Sequence, residues 1–227
     1  MKLTAAAALS LAGLAAANPV DLAERQSCPK VYVFGARETT APAGYGTSAG
    51  LVNQIKSAYS GAGSEAIVYP ACGGQSQCGG VSYDNSATQG TAAVVKAVTA
   101  YNQKCPDTQI VLVGYSQGGQ IMDNALCGGA GGTLTGAALA AVKAAIFMGD
   151  PHNRAGLPYN VGTCTNQGFA ARPAGFTCSP ASSSIIQSYC DSQDPYCCNG
   201  NDANHHQQYV TIYGSQAMTF IKSKITA

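Results

Sequence analysis

One short segment constrains the fold more than any other, namely an apolar run that leads directly into a serine flanked by glycines. Residues 109–113, QIVLV, are followed at once by the hexapeptide GYSQGG, which contains Ser116. A helical pattern over residues 117–126 comes next. Strand, G-x-S-x-G and helix in this order are typical of a nucleophile elbow, in which glycines permit a very sharp turn. The segment therefore predicts that the Ser116 hydroxyl is presented at the carboxyl edge of a sheet. A glycine-rich turn without a catalytic role is the alternative, because the chain contains 27 glycines.

The rest of the chain alternates between strand and helix patterns. Strand candidates are residues 30–34, 65–69, 109–113, 143–148 and 185–189, and helix candidates are residues 48–59, 84–102, 117–126 and 203–224. Alternation of this kind favours a mainly parallel sheet with helices on both faces, which is an α/β three-layer sandwich. Continuous apolar strands such as QIVLV also favour burial on both faces. We found no internal repeat or long linker, so we expect a single domain.

The N-terminus has the pattern of a targeting segment. Lys2 is followed by an apolar stretch from residue 3 to 14 and by three small residues, alanines 15–17. These features predict a signal peptide over residues 1–17 and therefore a secreted, extracellular protein, although a buried N-terminal helix is the alternative. The apolar stretch is shorter than the roughly 20 residues that span a membrane. We expect a short propeptide over residues 18–25, cleavage after Arg25, and a catalytic domain over residues 26–227.

Ten cysteines indicate an oxidising compartment. They are Cys28, Cys72, Cys78, Cys105, Cys127, Cys164, Cys178, Cys190, Cys197 and Cys198. An even number of cysteines after a signal peptide predicts five disulfides. A zinc site is the rival interpretation, but it would require Cys-x2-Cys or Cys/His spacings, which the sequence lacks, so we expect no metal. The spacing leaves the connectivity open, although short loops make 72–78 and 190–197 candidate pairs.

Charge limits the range of partners. The net charge is +1, and charged residues make up only 10% of the chain, where about 25% is usual. Low charge with ample apolar content argues against disorder. Without a basic stripe, nucleic acid is not an expected partner, and no segment predicts a membrane partner. The composition favours a polar, uncharged partner.

A serine nucleophile needs a base and an orienting acid, and the order along an α/β-hydrolase chain is Ser, then Asp or Glu, then His. His205 and His206 lie downstream, where the last helix is expected to begin. Asp194 precedes them between Cys190 and Cys197, and a disulfide there would hold its loop rigid. We therefore assign Ser116, Asp194 and one of the two adjacent histidines as the catalytic set, with solvated surface histidines as the alternative.

The third histidine, His152, fits this order poorly. It would have to pair with Asp150, which is only two residues away, or with Asp123, which lies on the helix after the elbow and points away from a shared site. We expect His152 to be a surface residue without a catalytic role.

Several segments together resemble the fungal acetylxylan esterases of the cutinase-like group, carbohydrate esterase family 5. They are SCPKVYVFGARETT, YPACGGQSQCGG, IVLVGYSQGGQIMDNALCGG, AAIFMGDP, RPAGFTC and SYCDSQDPYCCNGND, and the resemblance extends from about residue 27 to about residue 224. It implies a compact α/β-hydrolase-like fold without a large lid. It also implies Ser116 as nucleophile, Asp194 as acid and His206 as base, with His205 as second choice.

The resemblance implies further residue roles. The oxyanion hole would be formed by Thr39, in ARETT, and by the backbone amide of Gln117. Tyr196 would narrow the acyl pocket, where cutinases tend to carry a smaller aliphatic side chain. The implied disulfides are Cys28–Cys105, Cys72–Cys78, Cys190–Cys197, Cys127–Cys178 and Cys164–Cys198.

These features predict a secreted serine esterase that removes acetyl groups from acetylated xylan or a related acetylated plant polysaccharide. We expect a monomer and no cofactor. A cutinase or a broader short-chain carboxylesterase is the alternative. An inactive carbohydrate-binding protein would lack a member of the catalytic set, and none is missing; a structural or elicitor protein would lack the elbow.

Overall fold

The computed structural model describes residues 28–227. Its six strands form one sheet in which every neighbouring pair is parallel, in the order β2-β1-β3-β4-β6-β5. The strands are Val31–Ala36 (β1), Gly63–Ala66 (β2), Gln109–Tyr115 (β3), Val142–Met148 (β4), Asn160–Val161 (β5) and Ile186–Tyr189 (β6). The α-helices of the described part are Ala49–Ala58 (α1), Tyr83–Lys104 (α2), Gln117–Cys127 (α3), Gly136–Ala141 (α4) and Tyr209–Lys224 (α5). The predicted signal peptide and propeptide lie outside the described residues.

Alternation along the central strands divides the core between the two faces of the sheet. Leu112 of β3 packs in one cluster with residues of α2 and α3, whereas Val113 packs in the other with residues of α1 and α5. The four apolar residues of the QIVLV run, residues 110–113, are fully buried, as expected of a strand covered on both sides. The predicted α/β class with a parallel sheet between two helical layers is confirmed.

The second strand is shorter, and lies earlier in the chain, than the predicted strand over residues 65–69. It covers Gly63–Ala66, and only one further backbone bond, from Ile67 N–H to Gly35 O at 2.9 Å, extends it. Val68 then turns to solvent, and Tyr69 turns inward, where its hydroxyl donates to Arg37 O at 2.6 Å. The apolar residues Ile67 and Tyr69 are therefore buried after the strand ends, and the apolar pattern does not give the bounds of the strand.

The last helix begins later than the predicted residue 203. The carboxylate of Asp202 accepts hydrogen bonds from the backbone N–H groups of Asn204 and His205, at 2.9 and 3.2 Å. A 3-10 turn over His205–Gln207 follows, and the regular helix starts at Tyr209. An aspartate that binds the backbone two and three residues ahead favours a turn over a continuous helix. This turn is what places the two histidines.

Five disulfides cross-link the described residues, in the pairs that the resemblance implies. They are Cys28–Cys105, Cys72–Cys78, Cys127–Cys178, Cys164–Cys198 and Cys190–Cys197. The sulfur atoms of Cys164, Cys190 and Cys198 lie within 4.8 Å of one another, but all three belong to disulfides, so they offer no thiolate to a metal. Between residues 28 and 227, no helix is long and apolar enough to cross a membrane.

Candidate active site

Ser116 stands at the junction between β3 and α3 in a strained backbone conformation. Its φ of 53° and ψ of −121° are rare for a residue with a side chain. The turn is held by a hydrogen bond from the Ser116 N–H to Met148 O at 2.8 Å, and Ser116 O accepts from the Gln120 N–H at 3.1 Å. The serine is thus fixed at the carboxyl edge of the sheet, as the elbow pattern predicts.

The two motif glycines are required by close backbone contacts. A Cβ atom on Gly114 would lie 2.3 Å from Gly118 O, and one on Gly118 would lie 2.3 Å from Ala36 O. Neither acceptor can move without displacing the strand or the helix that carries it. The glycines therefore allow α3 to pack directly against the ends of β1 and β3, which brings the helix N-terminus beside the serine.

His206 and Asp194 form a buried pair. The Nδ1 atom of His206 lies 2.6 Å from Oδ2 of Asp194, and the exposed fractions of the two side chains are 4% and 0%. The other carboxylate oxygen of Asp194 accepts the backbone N–H groups of Tyr196 at 2.6 Å and Cys197 at 3.1 Å. The Cys190–Cys197 disulfide closes the loop around this aspartate. The carboxylate is thus fixed on both oxygens, and it fixes the orientation of the imidazole.

Tyr209, which sequence reasoning missed, completes the support of this carboxylate. Its hydroxyl donates to Oδ2 of Asp194 at 2.8 Å and accepts the backbone N–H of Asp191 at 2.9 Å. Burial alone would raise the pKa of Asp194, but the hydrogen bond and positive charge of His206, with the other donors, lower that pKa below its ordinary value. Asp194 is therefore held as a carboxylate, the form needed to stabilise an imidazolium.

The imidazole of His206 packs against Gly149, a glycine that no sequence motif singles out. A Cβ atom on Gly149, whose φ is +65°, would lie 2.6 Å from Cε1 of His206. The backbone of His206 is held from the other side, since the Tyr115 hydroxyl donates to His206 O at 2.7 Å. The Tyr196 ring lies 4.6 Å from the imidazole, centroid to centroid. The imidazole is thus packed against Gly149 and Tyr196, while the Tyr115 hydroxyl holds its backbone.

His205 is engaged elsewhere. Its Nε2 atom lies 2.8 Å from Oδ2 of Asp191, and Oδ1 of Asp191 accepts the hydroxyls of Tyr213 at 2.7 Å and Thr163 at 3.0 Å. Although burial opposes it, this set of donors lowers the pKa of Asp191. The two adjacent histidines thus pair with two different aspartates, and of the two only His206 lines the cleft that contains Ser116.

The two predicted oxyanion-hole residues come from different segments, since Thr39 follows β1 and Gln117 begins α3. Thr39 lines the cleft with Ser116, and the next residue, Thr40, has φ of +64° and donates its N–H to Ala71 O at 2.7 Å. Gln117 is the first residue of α3, where a backbone N–H has no acceptor within the helix. The arrangement offers donors near the serine at the positive end of a helix dipole.

The side chain of Gln117 has a structural role that the sequence did not reveal. It turns away into the core, where its Nε2 donates to Cys72 O at 3.0 Å and its Oε1 accepts the Ser86 hydroxyl at 2.8 Å. The same Ser86 hydroxyl accepts the Cys72 N–H at 2.9 Å. Gln117 thereby ties the disulfide loop 72–78 to the elbow.

The cleft beside Ser116 has a volume of about 400 Å³. Of the residues singled out from sequence, Ser116, His206, Thr39 and Tyr196 line it, while Asp194 lies behind His206. Glu38, Gln75, Tyr83, Phe169 and Gln207 also line it, and sequence reasoning missed all five. Tyr83, Phe169 and Gln207 lie in segments without a distinctive motif, whereas Glu38 adjoins Thr39 in ARETT and Gln75 lies in YPACGGQSQCGG.

His152 is not the surface residue that the sequence led us to expect. Its Nδ1 lies 2.6 Å from Ala170 O and its Nε2 lies 3.0 Å from Oδ1 of Asn124, and desolvation lowers its pKa. It joins α3 to the long segment after β4. Close by, Nε of Arg172 donates to Oδ2 of Asp123 at 2.7 Å in a buried ion pair. These residues brace the scaffold outside the cleft.

A parallel α/β sheet with a strained serine at the end of a central strand, beside a buried His–Asp pair, defines an α/β-hydrolase-like protein. The family model described as cutinase matches residues 27–225. The chain belongs to the cutinase family.

The similar proteins carry two kinds of name, cutinase and acetylxylan esterase. The chain is 62% identical to cutinase 11 of Verticillium dahliae, over 97% of this chain and 77% of that protein. It is 59% identical to acetylxylan esterase 2 of Talaromyces purpureogenus, over 96% of this chain and 97% of that protein. Among solved structures, the catalytic core domain of acetyl xylan esterase from Trichoderma reesei is 61% identical. That match has a TM-score of 0.83 and covers 87% of this chain and 99% of the other.

Proposed function

We propose that this protein is a secreted serine esterase that removes acetyl groups from acetylated xylan. The observation that carries the proposal is the 2.6 Å contact between His206 Nδ1 and Asp194 Oδ2, in a fold that places His206 and the strained Ser116 in one cleft. A nucleophile, a base and an orienting acid are the parts that acyl transfer to serine requires.

In the first step, Nε2 of His206 takes the proton of the Ser116 hydroxyl as the serine oxygen attacks the acetyl carbonyl carbon. Asp194 stabilises the imidazolium that forms and keeps the Nδ1 proton directed toward itself. The tetrahedral intermediate carries its negative charge on the former carbonyl oxygen. The backbone N–H of Gln117 and the N–H and hydroxyl of Thr39 donate to that oxygen.

The intermediate collapses when the bond from the acyl carbon to the sugar oxygen breaks, and His206 returns its proton to that oxygen. Acetyl-Ser116 and a free sugar hydroxyl result. Water then attacks the acetyl-enzyme, with His206 again as base, and releases acetate and the serine hydroxyl. Each step uses groups of this chain and water.

The position of Tyr196 favours substrates with an acetyl group over substrates with longer acyl groups. Its ring packs at 4.6 Å from the imidazole and lines the cleft, so it occupies space that a longer acyl chain would need beside the acyl carbon. A pocket of this kind selects a small acyl group by excluding larger ones. Cutinase activity is the second candidate, because a relative that is 62% identical carries the name cutinase 11.

Secretion is part of the same proposal. All ten cysteines are in disulfides, which form and persist in oxidising compartments. The N-terminal residues 1–17 have the order of charged, apolar and small residues that signal peptides share. The family match begins at residue 27, next to the expected start of the mature domain at residue 26.

The test is a chain-length series of p-nitrophenyl esters, from acetate to palmitate, with the wild type and Ser116→Ala. We expect hydrolysis to fall sharply beyond acetate or propionate and to be abolished by the substitution. Comparable rates on butyrate and longer esters would favour a cutinase. Full activity in Ser116→Ala would contradict a serine mechanism of any acyl specificity.

A further inference from the structure

Phe169 is an exposed aromatic residue at the edge of the cleft. Its side chain is 60% exposed, although it lies among the residues that line the space beside Ser116. Contiguous exposed apolar surface marks a binding site, whereas single scattered residues carry no such meaning. Tyr196, which is 41% exposed, lines the same cleft as Phe169. The catalytic steps described above make no use of this ring.

The backbone that carries Phe169 is fixed despite this exposure. The Phe169 N–H donates to Tyr196 O at 3.1 Å, and the Gly168 N–H donates to Asn153 O at 2.9 Å. Gly168 is packed so tightly that a Cβ atom there would lie 2.3 Å from Pro151 O. The backbone of Phe169 is therefore held in place, and it is hydrogen-bonded to the segment that carries Tyr196.

The residues after Phe169 are held in the same way. Ala170 O lies 2.6 Å from Nδ1 of His152, and the Arg172 N–H donates to His152 O at 3.1 Å. The Arg172 side chain is in turn anchored by Asp123. The bracing network around His152 thus holds the segment on which the exposed ring lies, and a preorganised contact costs little entropy on binding.

Tyr83 sets the orientation of the ring. The two ring centroids lie 5.2 Å apart with an interplanar angle of 71°, which is an edge-to-face contact. The Tyr83 hydroxyl donates to Oε1 of Gln120 at 2.8 Å, so its own ring is fixed. An edge-to-face contact engages at most one face of Phe169 and leaves a planar apolar surface open to the cleft.

Polar side chains share the cleft with this ring. Glu38 accepts the N–H of Thr47 at 2.9 Å and its hydroxyl at 2.8 Å, and the Thr47 hydroxyl also lies 2.9 Å from Oε1 of Gln207. Gln75 accepts the Gly73 N–H through Oε1 at 2.7 Å, and its amide borders the same space. Carboxylate and amide groups next to a flat aromatic surface match a sugar, which has apolar C–H faces and hydroxyl edges. An alkyl chain would cover these polar groups without bonding to them, which is costly.

We propose that Phe169 is a stacking platform for a xylopyranose ring of the polysaccharide, and hence a specificity-determining residue for the polymer rather than for the acyl group. The proposal rests on the function proposed above and adds a subsite to it. The platform binds the carbohydrate through a ring face and makes no contact with the reacting atoms.

The test compares variants on acetylated xylan and on ethyl acetate, whose leaving group has neither a sugar nor an aromatic ring that could stack. For Phe169→Ala we expect KM for acetylated xylan to rise about fivefold, in line with the loss of one aromatic contact. We expect kcat on the polymer and kcat/KM on ethyl acetate to stay unchanged. Phe169→Tyr, which keeps the ring, should behave as wild type, whereas Phe169→Leu, which keeps apolar bulk without a planar ring, should behave as Phe169→Ala. Ile212→Ala, an exposed position on α5 that does not line the cleft, is the control.

Other outcomes overturn the proposal in distinguishable ways. An unchanged KM for the polymer in Phe169→Ala would contradict the stacking role of Phe169, but it would not contradict the proposed esterase function. Equal losses on ethyl acetate would mean that the ring only supports the catalytic geometry. A loss confined to long-chain esters would assign the ring to acyl binding. A wild type that cleaves p-nitrophenyl acetate but not acetylated xylan would overturn the proposed function, and the platform with it.

Discussion

The Nδ1 atom of His206 lies 2.6 Å from Oδ2 of Asp194, and both side chains are buried. A contact of this kind orients the imidazole and stabilises the imidazolium that forms during acyl transfer. Twelve residues separate the two along the chain. The Asx-type turn at Asp202 and the disulfide around Asp194 bring them together.

Asp194→Asn tests this relationship. The amide cannot stabilise an imidazolium as the carboxylate does, so we expect kcat on p-nitrophenyl acetate to fall by about 10³- to 10⁴-fold, with little change in KM. Asp191→Asn makes the same chemical change in the pair with His205, and it should retain activity within about tenfold of the wild type because that histidine does not line the cleft. Equal losses in the two variants, or a larger loss in Asp191→Asn, would contradict the assignment of His206.

Gly118→Ala tests the packing of the elbow. The added Cβ would lie 2.3 Å from Ala36 O, a backbone atom, so we expect a loss of about 2–3 kcal/mol in the free energy of unfolding and a severe loss of kcat. Gly119→Ala is the matched control, since its nearest contact would be the Asp150 Cβ at 3.2 Å. A helical alanine there should leave stability within about 1 kcal/mol of the wild type. Denaturant unfolding of both variants measures the difference, and similar stabilities would show that the elbow tolerates a side chain.

Tyr196→Val tests the acyl pocket. Removing the ring that packs on His206 opens space beside the acyl carbon, and we expect kcat/KM for butyrate relative to acetate to rise about tenfold. Tyr196→Phe keeps the ring and should keep the wild-type ratio. The backbone N–H that Tyr196 donates to Asp194 is present in both variants. An unchanged ratio in Tyr196→Val would mean that another group limits acyl length.

Asp150→Asn tests a buried carboxyl that the reaction does not use. Burial, assisted by the nearby Asp123 charge, raises the pKa of Asp150 well above its ordinary value. The folded chain therefore keeps a proton that the unfolded chain loses above about pH 4, and the free energy of unfolding decreases as pH rises through the folded-state pKa.

Asparagine mimics the neutral carboxyl, and its carbonyl can accept the His152 N–H that Oδ1 of Asp150 now accepts at 2.9 Å. We expect the stability of the variant relative to the wild type to increase as pH rises from about 4 through the folded-state pKa of Asp150. Asp107→Asn, at an exposed position, should follow the wild-type curve. A decrease in the stability of Asp150→Asn relative to the wild type as pH rises would mean that the carboxyl is ionised in the folded chain.

The strand over residues 109–115 and the elbow were readable from the sequence because their signals are local. A continuous apolar run, a pair of glycines and a serine occur within eleven residues, and each has one dominant physical meaning. The aspartate between Cys190 and Cys197 was readable for the same reason. The implied disulfide pairs, in contrast, came only from the resemblance, because spacing alone left the connectivity open.

Contacts between segments that are distant along the chain could not be predicted from the sequence. The Tyr209 hydroxyl donates to Asp194, and Gly149 leaves space for the imidazole of His206, which lies 57 residues further along the chain. An isolated tyrosine or glycine has no sequence pattern that would reveal such a contact. His152 was misplaced because its partners, Asn124 and Ala170, come from separate segments. The late start of α5 depends on the side chain of Asp202, which competes with the helix for the backbone N–H groups.

Acetate release from acetylated xylan, measured beside fatty-acid release from cutin, tests the central claim most directly. With equal amounts of wild type and Ser116→Ala, we expect the wild type to release acetate from xylan and to release little from cutin, and the variant to release neither. Release of fatty acids from cutin at a rate comparable to that of acetate from xylan would contradict the acetyl specificity. Acetate release by Ser116→Ala would contradict the catalytic role of the serine itself.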